Sequence, residues 1–249
     1  MQNPRKYFRN NASKSLQFLD ALIDAGVQKL VFSSTCATYG KPEYLPIDEN
    51  HPQRPVNPYG ETKLFIERAL KWYSPVHQLR SVCLRYFNAA GADPEGDIGE
   101  SHDPETHLIP ITIQTALGSR PRITLYGTDF PTPDGTAIRD YVHVADLADA
   151  HVRALEYLES GGQTTALNLG TGSGHSVREV IRSVERTARR RINVACTDRR
   201  AGDPAALVAC ADVAKRVLGW EPKFASLDEI IGTAWQWHAQ RDPAATAAT

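Results

Sequence analysis

Apolar residues recur at helical spacing across 11–25, where Leu16, Leu19, Leu22 and Ile23 share one face and Gly26 is placed to end the helix. The pattern then switches. Lys29-Leu30-Val31-Phe32 carries an apolar run into Ser33-Ser34-Thr35, which predicts a short buried strand over 30–34. A polar loop holding Pro42, Pro46, Pro52 and Pro55 leads to a helix over 59–73, with Pro58 in its first turn, where a missing N–H leaves no bond unmade. The run from Ser81 to Phe87 reads as a second strand, apolar enough to be covered on both faces. Ser176-Val177-Arg178-Glu179 and Ser226-Leu227-Asp228-Glu229 are capping boxes, whose side chains satisfy the first unbonded N–H groups of two later helices. Helices alternating with short apolar strands predict an α/β fold on a parallel sheet.

The loop over 89–106, rich in Gly, Pro, Asp and Glu, is where the chain leaves that sheet, and the small residues of 242–249 predict a flexible tail. No internal repeat is present. The 249 residues, 41% hydrophobic and 23% charged, suffice for one large core or two smaller ones. A formal net charge of −1 offers no field for nucleic acid or an anionic membrane, so neither is an expected partner. Cys36, Cys83, Cys196 and Cys210 lack CxxC spacing, which argues for reduced, buried thiols and against a zinc or redox pair. His143, His151 and His175 have no ligand spacing and read as structural, and no metal site is expected. Arg186, Arg189, Arg190 and Arg191 read as a solvated helix end, where cations suit the dipole. No apolar run reaches membrane-spanning length, and Met1-Gln2-Asn3-Pro4-Arg5 has no signal-peptide core; a cytoplasmic location is expected.

Candidate chemistry sits at the first strand and the second helix. Tyr59 and Lys63 are four residues apart on one helical face, where an ammonium favours the charged form of a phenol. A phenol of pKa about 10 becomes a base near neutral pH only with such help. Taken alone, the spacing is equally that of a solvated lysine beside a half-buried ring. Thr35, at the end of the first strand, adds a hydroxyl able to bond the substrate oxygen that the phenolate deprotonates, making a triad of Thr35, Tyr59 and Lys63.

The stretches FSSTCATYG, NPYGETK, LRYFNAAG, ETHLIP, GTAIRDYVHVADLADAH, NLGTG and RRAGDPAALVA occur in that order. Together they resemble the extended short-chain dehydrogenases/reductases and, within them, the UDP-glucose 4-epimerases, over nearly the whole chain. The resemblance implies an incomplete Rossmann-like parallel sheet with a smaller C-terminal substrate-binding domain. It places the NAD-binding part at 1–88 and a mainly UDP-sugar-binding part at 89–241, with 161–174 returning to the sheet. One departure stands out: the family's opening GxxGxxG turn, which holds the cofactor pyrophosphate on backbone N–H groups, has no counterpart. Gly170-Thr171-Gly172-Ser173-Gly174 lacks that spacing and matches the NLGTG turn instead. By this comparison the chain lacks the family's first four strands. That implies weak NAD binding by the chain alone and an apolar sheet edge at 30–34, prone to aggregate or to recruit another chain.

The implied activity is interconversion of UDP-glucose and UDP-galactose with NAD as cofactor. Tyr59 would take the proton of the sugar 4-hydroxyl, Lys63 would lower the phenol's pKa and hold the nicotinamide ribose, and Thr35 would stand where relatives carry serine. Asn10, Ser33 and Tyr86 match positions near the nicotinamide, although Asn10 is equally placed to cap the first helix. Arg139 and Arg200 match phosphate contacts, Asp203 the uridine ribose, and Asn88, His107, Leu108 and Tyr126 positions around diphosphate and uracil. Leu207 matches a variable position lining the sugar pocket. Alternatives are a related UDP-sugar epimerase or decarboxylase on xylose, glucuronate or N-acetyl sugars, or an inactive remnant that binds nucleotide sugar weakly. Relatives are often dimers through the helix bearing Tyr59, which implies a homodimer.

Overall fold

The computed structural model describes residues 3–241, so the tail expected at 242–249 lies outside the described residues. From the N-terminus come α1 (Pro4–Tyr7), a π-helical segment (Phe8–Ser13), α2 (Lys14–Asp24), β1 (Lys29–Thr35), a 3-10 turn (Cys36–Thr38) and α3 (Pro58–His77). Next are β2 (Arg80–Tyr86), β3 (Asn88–Ala90), α4 (Leu108–Leu117), β4 (Ile123–Tyr126), β5 (Ile138–His143), α5 (Val144–Glu159) and β6 (Thr165–Leu169). The chain closes with β7 (Gly174–Ser176), α6 (Val177–Ala188), β8 (Val194–Thr197), β9 (Ala206–Leu207), α7 (Asp212–Leu218) and α8 (Leu227–Arg241).

Two compact units divide these elements. The first comprises the described part of Met1–Phe87 with Ala148–Gly170 and Ala209–Glu221. Its sheet is parallel in the order β1-β2-β6, with Thr35 opposite Tyr86 and Tyr86 opposite Leu169. β1 is an edge strand among the described residues. Leu19 of α2 and Ile66 and Leu70 of α3 pack on Leu79 and Cys83. Gly60 makes the approach of α3 possible, because a Cβ there would sit 2.3 Å from the Ala37 carbonyl oxygen.

The second unit comprises Asn88–Leu147, Thr171–Val208 and the described part of Pro222–Thr249. β5 is its axis, pairing in parallel with β3 and β9 and antiparallel with β7, while β4 and β8 form a separate parallel pair. Ile109 and Ile113 of α4, Val180 and Val184 of α6, and Ile230 and Ile231 of α8 fill its core. Both capping boxes form. Glu179 donates its N–H to the Ser176 hydroxyl at 3.1 Å and receives the Ser176 N–H at 2.7 Å, and Ser226 and Glu229 reciprocate at 3.2 and 3.3 Å.

Three expectations are corrected. Helix begins before residue 11: the Asn3 side chain accepts from the Lys6 N–H at 3.1 Å and Pro4 holds the first turn, so Asn3 and not Asn10 is the cap. The π-helical turn then resets the phase of the chain, which is why apolar periodicity resumes only further along. The helix bearing Tyr59 passes 73, runs through Pro75 and stops at Gln78, which is left-handed at φ 56°. Of the four thiols, Cys36 and Cys83 are buried, but Cys196 is exposed and Cys210 half-buried. Among the described residues no helix is long and apolar enough to cross a membrane.

Candidate active site

In the first unit, the parallel strands deliver Thr35 and Tyr86 side by side at their carboxyl ends, and the first turn of α3 delivers Tyr59. Asn57 fixes that turn by accepting the Gly60 N–H at 2.9 Å. Thr35 is buried, and Tyr59 and Lys63 are half-buried. Burial pushes the Tyr59 phenol above its ordinary pKa and Tyr86 adds to the rise, while the nearby Thr35 side chain opposes it. Lys63 donates to the Ser33 carbonyl oxygen at 2.9 Å, and its Nζ lies 4.9 Å from the Phe32 ring centre and 5.7 Å from that of Tyr59. Burial lowers the Lys63 pKa. The ammonium therefore flanks the phenol ring, and desolvation outweighs the help expected of it. Ser33 Oγ pairs with His151 Nε2 at 2.9 Å. Asn10 is exposed beside a groove of about 630 Å³ edged by Arg5, Lys6, Arg9 and Lys14.

Directly under these groups runs a buried network with no clear sequence signal. Arg85 donates to Glu67 through Nε at 3.0 and 3.1 Å and Nη2 at 2.6 Å, and through Nη1 to the Tyr39 hydroxyl at 2.9 Å. Tyr39 in turn donates to Asn168 Oδ1 at 2.7 Å, and Ser34 donates to Glu67. Burial raises the Tyr39 phenol to about 12, against the pull of Arg85. Lone arginines and glutamates are ordinarily surface residues, so only the apolar strand around Arg85 hints that this one is internal.

In the second unit the expected phosphate and nucleoside contacts meet in pairs. Arg139 donates to Asp203 and, at 2.6 Å, to the Ile138 carbonyl oxygen. The Arg200 guanidinium sits 3.9 Å from the Tyr126 ring centre, a cation–π contact. Asn88 donates to the Asp140 carbonyl oxygen at 3.1 Å, and Leu207 lies opposite Arg139 where β9 joins β5. Leu108 opens α4, preceded by His107, whose Nδ1 contacts Glu100 and Glu105. Those two contacts push the His107 pKa up to about 9, Glu100 contributing most. Asp140 accepts the N–H and hydroxyl of Thr171 at 2.9 and 2.7 Å and the Gly172 N–H at 3.1 Å. It thus shapes the GTG turn, a role that its place in IRDY does not disclose.

A family model described as "NAD dependent epimerase/dehydratase family" matches residues 1–170. The chain is 53% identical over 242 residues to the UDP-glucose 4-epimerase of Rhizobium meliloti (strain 1021), an alignment covering 97% of this chain and 74% of that protein. It is 48% identical to the Lacticaseibacillus casei protein of the same name, over 96% of this chain and 72% of the other. Among solved structures, the UDP-glucose 4-epimerase from Brucella ovis in complex with NAD matches at TM-score 0.91 and 50% identity, over 94% of this chain and 72% of that one. The Bifidobacterium longum enzyme in complex with NAD+ and UDP matches at TM-score 0.91 and 36% identity, over 98% and 73%.

Proposed function

The chain belongs to the NAD dependent epimerase/dehydratase family, and from that premise we propose that it interconverts UDP-glucose and UDP-galactose. The observation that carries the proposal is the placement of the Thr35 hydroxyl at the carboxyl end of a parallel strand, near enough to the Tyr59 phenol to lower its pKa, with Lys63 one turn further along the same helix. Tyr59, once ionised, takes the proton of the 4-hydroxyl, while Thr35 would hydrogen-bond the same sugar oxygen and keep it in line with the phenol. Burial opposes that ionisation, and the positive nicotinamide ring of bound NAD would favour it where Lys63 alone does not. Bound NAD would supply a reversible hydride acceptor for C4. The 4-keto sugar turns over between the two transfers, and Tyr59 gives its proton back. The net change is inversion at C4.

The residues present suit the nicotinamide side of that cofactor. Hydroxyls on Ser33, Tyr59 and Tyr86, the Lys63 ammonium and the exposed Asn10 amide are the donors that a ribose diol and a carboxamide call for. The sequence holds no GxxGxxG turn for the pyrophosphate. We assign the first unit to the dinucleotide and the second to the UDP-sugar. Arg139 and Arg200 take the diphosphate, Asp203 the uridine ribose, and Asn88, His107, Leu108 and Tyr126 the surrounding positions. A guanidinium fork already engaged with a carboxylate is oriented to accept phosphate oxygens in its place.

Phe65, Trp72 and Val76 form an exposed apolar stripe along α3, with Trp72 76% exposed, and this stripe supports a homodimer. Sedimentation of Trp72→Glu, expected to be monomeric where the unsubstituted chain is dimeric, checks that assignment. Cysteines without disulfides suit a reducing cytoplasm.

The test is conversion of UDP-galactose to UDP-glucose by the purified chain with NAD in excess, alongside calorimetric titration with UDP. Conversion that needs Tyr59 supports the reading. UDP binding without conversion favours a nucleotide-sugar binder, and neither binding nor conversion refutes both.

A further inference from the structure

Glu100, His102, Glu105 and His107 each turn one ligand-type atom towards the others, and these four atoms lie within 4.8 Å of one another. They fall within a few residues of sequence, in the stretch leading to α4 in the second unit. Both imidazoles approach through the same nitrogen: His102 Nδ1 is 2.8 Å from Glu100 Oε1, and His107 Nδ1 contacts that oxygen at 2.5 Å and Glu105 Oε1 at 2.9 Å. The two rings sit side by side, their centres 5.0 Å apart and their planes tilted by 55°. Without a metal these contacts are imidazole–carboxylate hydrogen bonds, and release of the Nδ1 protons on metal binding would free the same four atoms for one cation.

The backbone that carries them is anchored independently. The Trp237 indole donates to the Glu100 carbonyl oxygen at 2.9 Å, and Gly99 lies so close to that ring that a Cβ would be 2.3 Å from it. Arg120 donates to the Glu105 carbonyl oxygen at 3.3 Å. The Glu105 side chain is 3% exposed and receives the Thr106 and His107 N–H groups at 2.6 and 2.7 Å, so one carboxylate is held rigidly while both imidazoles remain open to solvent. A rigid inner ligand with solvent-accessible outer ones is what metal entry and retention require.

We propose that Glu100, His102, Glu105 and His107 bind one divalent transition-metal ion of the zinc class. Two nitrogens and two carboxylate oxygens suit zinc, cobalt or nickel, and they exclude magnesium and calcium, which take oxygen-only sets. Four ligands about 2.0–2.2 Å from a tetrahedral ion lie about 3.4 Å apart, so small side-chain rotations suffice to seat it. Of the four, His107 is also among the positions proposed around the diphosphate and uracil, so the proposal meets the UDP site at that residue.

Chelator-treated protein titrated with Zn2+ by calorimetry is expected to bind one ion per chain. Affinity should fall at least tenfold in His102→Ala and in Glu100→Gln and stay unchanged in His77→Ala, whose imidazole belongs to α3. With Co2+ in place of zinc, visible bands of tetrahedral intensity are expected, and they should disappear in His102→Ala. His102 and the Glu100 carboxylate are not core groups, so both variants fold, which near-ultraviolet circular dichroism verifies. No binding, affinity undiminished in both quartet variants, equal loss in His77→Ala, or cobalt bands that survive in His102→Ala each overturn the site.

Discussion

Each unit contains an arginine bound to a carboxylate, and the two pairs serve opposite ends. Arg85 and Glu67 in the first unit are 3% and 2% exposed, and Tyr39 and Ser34 supply further hydrogen bonds to the pair. Arg139 and Asp203 in the second are 13% and 27% exposed, and the carboxylate follows the solvent-exposed Arg200 on a turn. Separating the first pair strands a charge where water does not reach. Separating the second lets solvent or a phosphate replace the lost partner. The same two side-chain types thus make a fixed foundation in one place and an exchangeable contact in the other, and burial decides which.

The largest expected effect lies on the strand-end site that the buried pair underpins. Tyr59→Phe removes the proton acceptor and leaves the ring, and conversion of UDP-galactose should fall by about 10²–10⁴-fold with UDP affinity unchanged. Equal losses in rate and binding would show the phenol acting as a contact and not as a base. Glu67→Ala comes next. It leaves Arg85 buried without its carboxylate and should lower unfolding stability by about 3–5 kcal/mol in a urea titration. Asp203→Ala, with the partly exposed pair broken, should cost clearly less, about 1 kcal/mol, by the same measurement. If the two variants melt alike, the contrast between foundation and contact is wrong. Arg139→Ala should then weaken UDP binding by roughly 10- to 150-fold, the loss of one charge-assisted contact of about 1.5–3 kcal/mol, with little change in stability.

A smaller effect reads the pH behaviour of the site. Burial raises the Tyr59 pKa above its unfolded value, so the folded protein favours the neutral phenol; stability from this source is full below about pH 10 and declines as pH rises through the folded value. The ultraviolet difference titration of the NAD-free unsubstituted chain against Tyr59→Phe should place phenolate formation above about pH 10. Thr35→Val removes the hydroxyl that opposes burial and should move that midpoint higher still. A lower midpoint would mean that Thr35 favours the neutral phenol.

What could be read from the residues follows from how local the determinant is. The strand around Phe32, the helix after Pro58 and both capping boxes rest on neighbours in sequence, and each forms close to where its pattern lies. The start of the first helix was hidden because a π-helical turn breaks the 3.6-residue phase on which periodicity depends. The Arg85–Glu67 pair was illegible for another reason: its partners sit 18 residues apart on α3 and β2, beyond the reach of any local periodicity, and a charged residue carries no mark of its burial. The Tyr59–Lys63 spacing gave the right face of α3, but whether the ammonium reaches the hydroxyl or the ring depends on the Ser33 carbonyl, which the spacing does not encode. The quartet of Glu100, His102, Glu105 and His107 lay in a stretch that composition marks only as a loop, and convergence of its side chains is a property of the fold.

The smallest expected effect tests whether the second unit selects its ligand by shape as well as charge. Leu207 is held opposite Arg139 by the β5–β9 pairing, so its side chain is fixed relative to the proposed phosphate contact while remaining half-buried. Removing its isobutyl group opens space without disturbing any ion pair. In Leu207→Ala, UDP-N-acetylgalactosamine should gain on UDP-galactose by about 10- to 100-fold in relative kcat/KM, the range that a few methylenes of pocket volume confer. Stability should change little, because a half-buried side chain on a two-residue strand carries only part of a core leucine's burial. An unchanged ratio would place the sugar elsewhere and leave Arg139 and Arg200 gripping the nucleotide alone, since charge recognises the diphosphate in every sugar series equally.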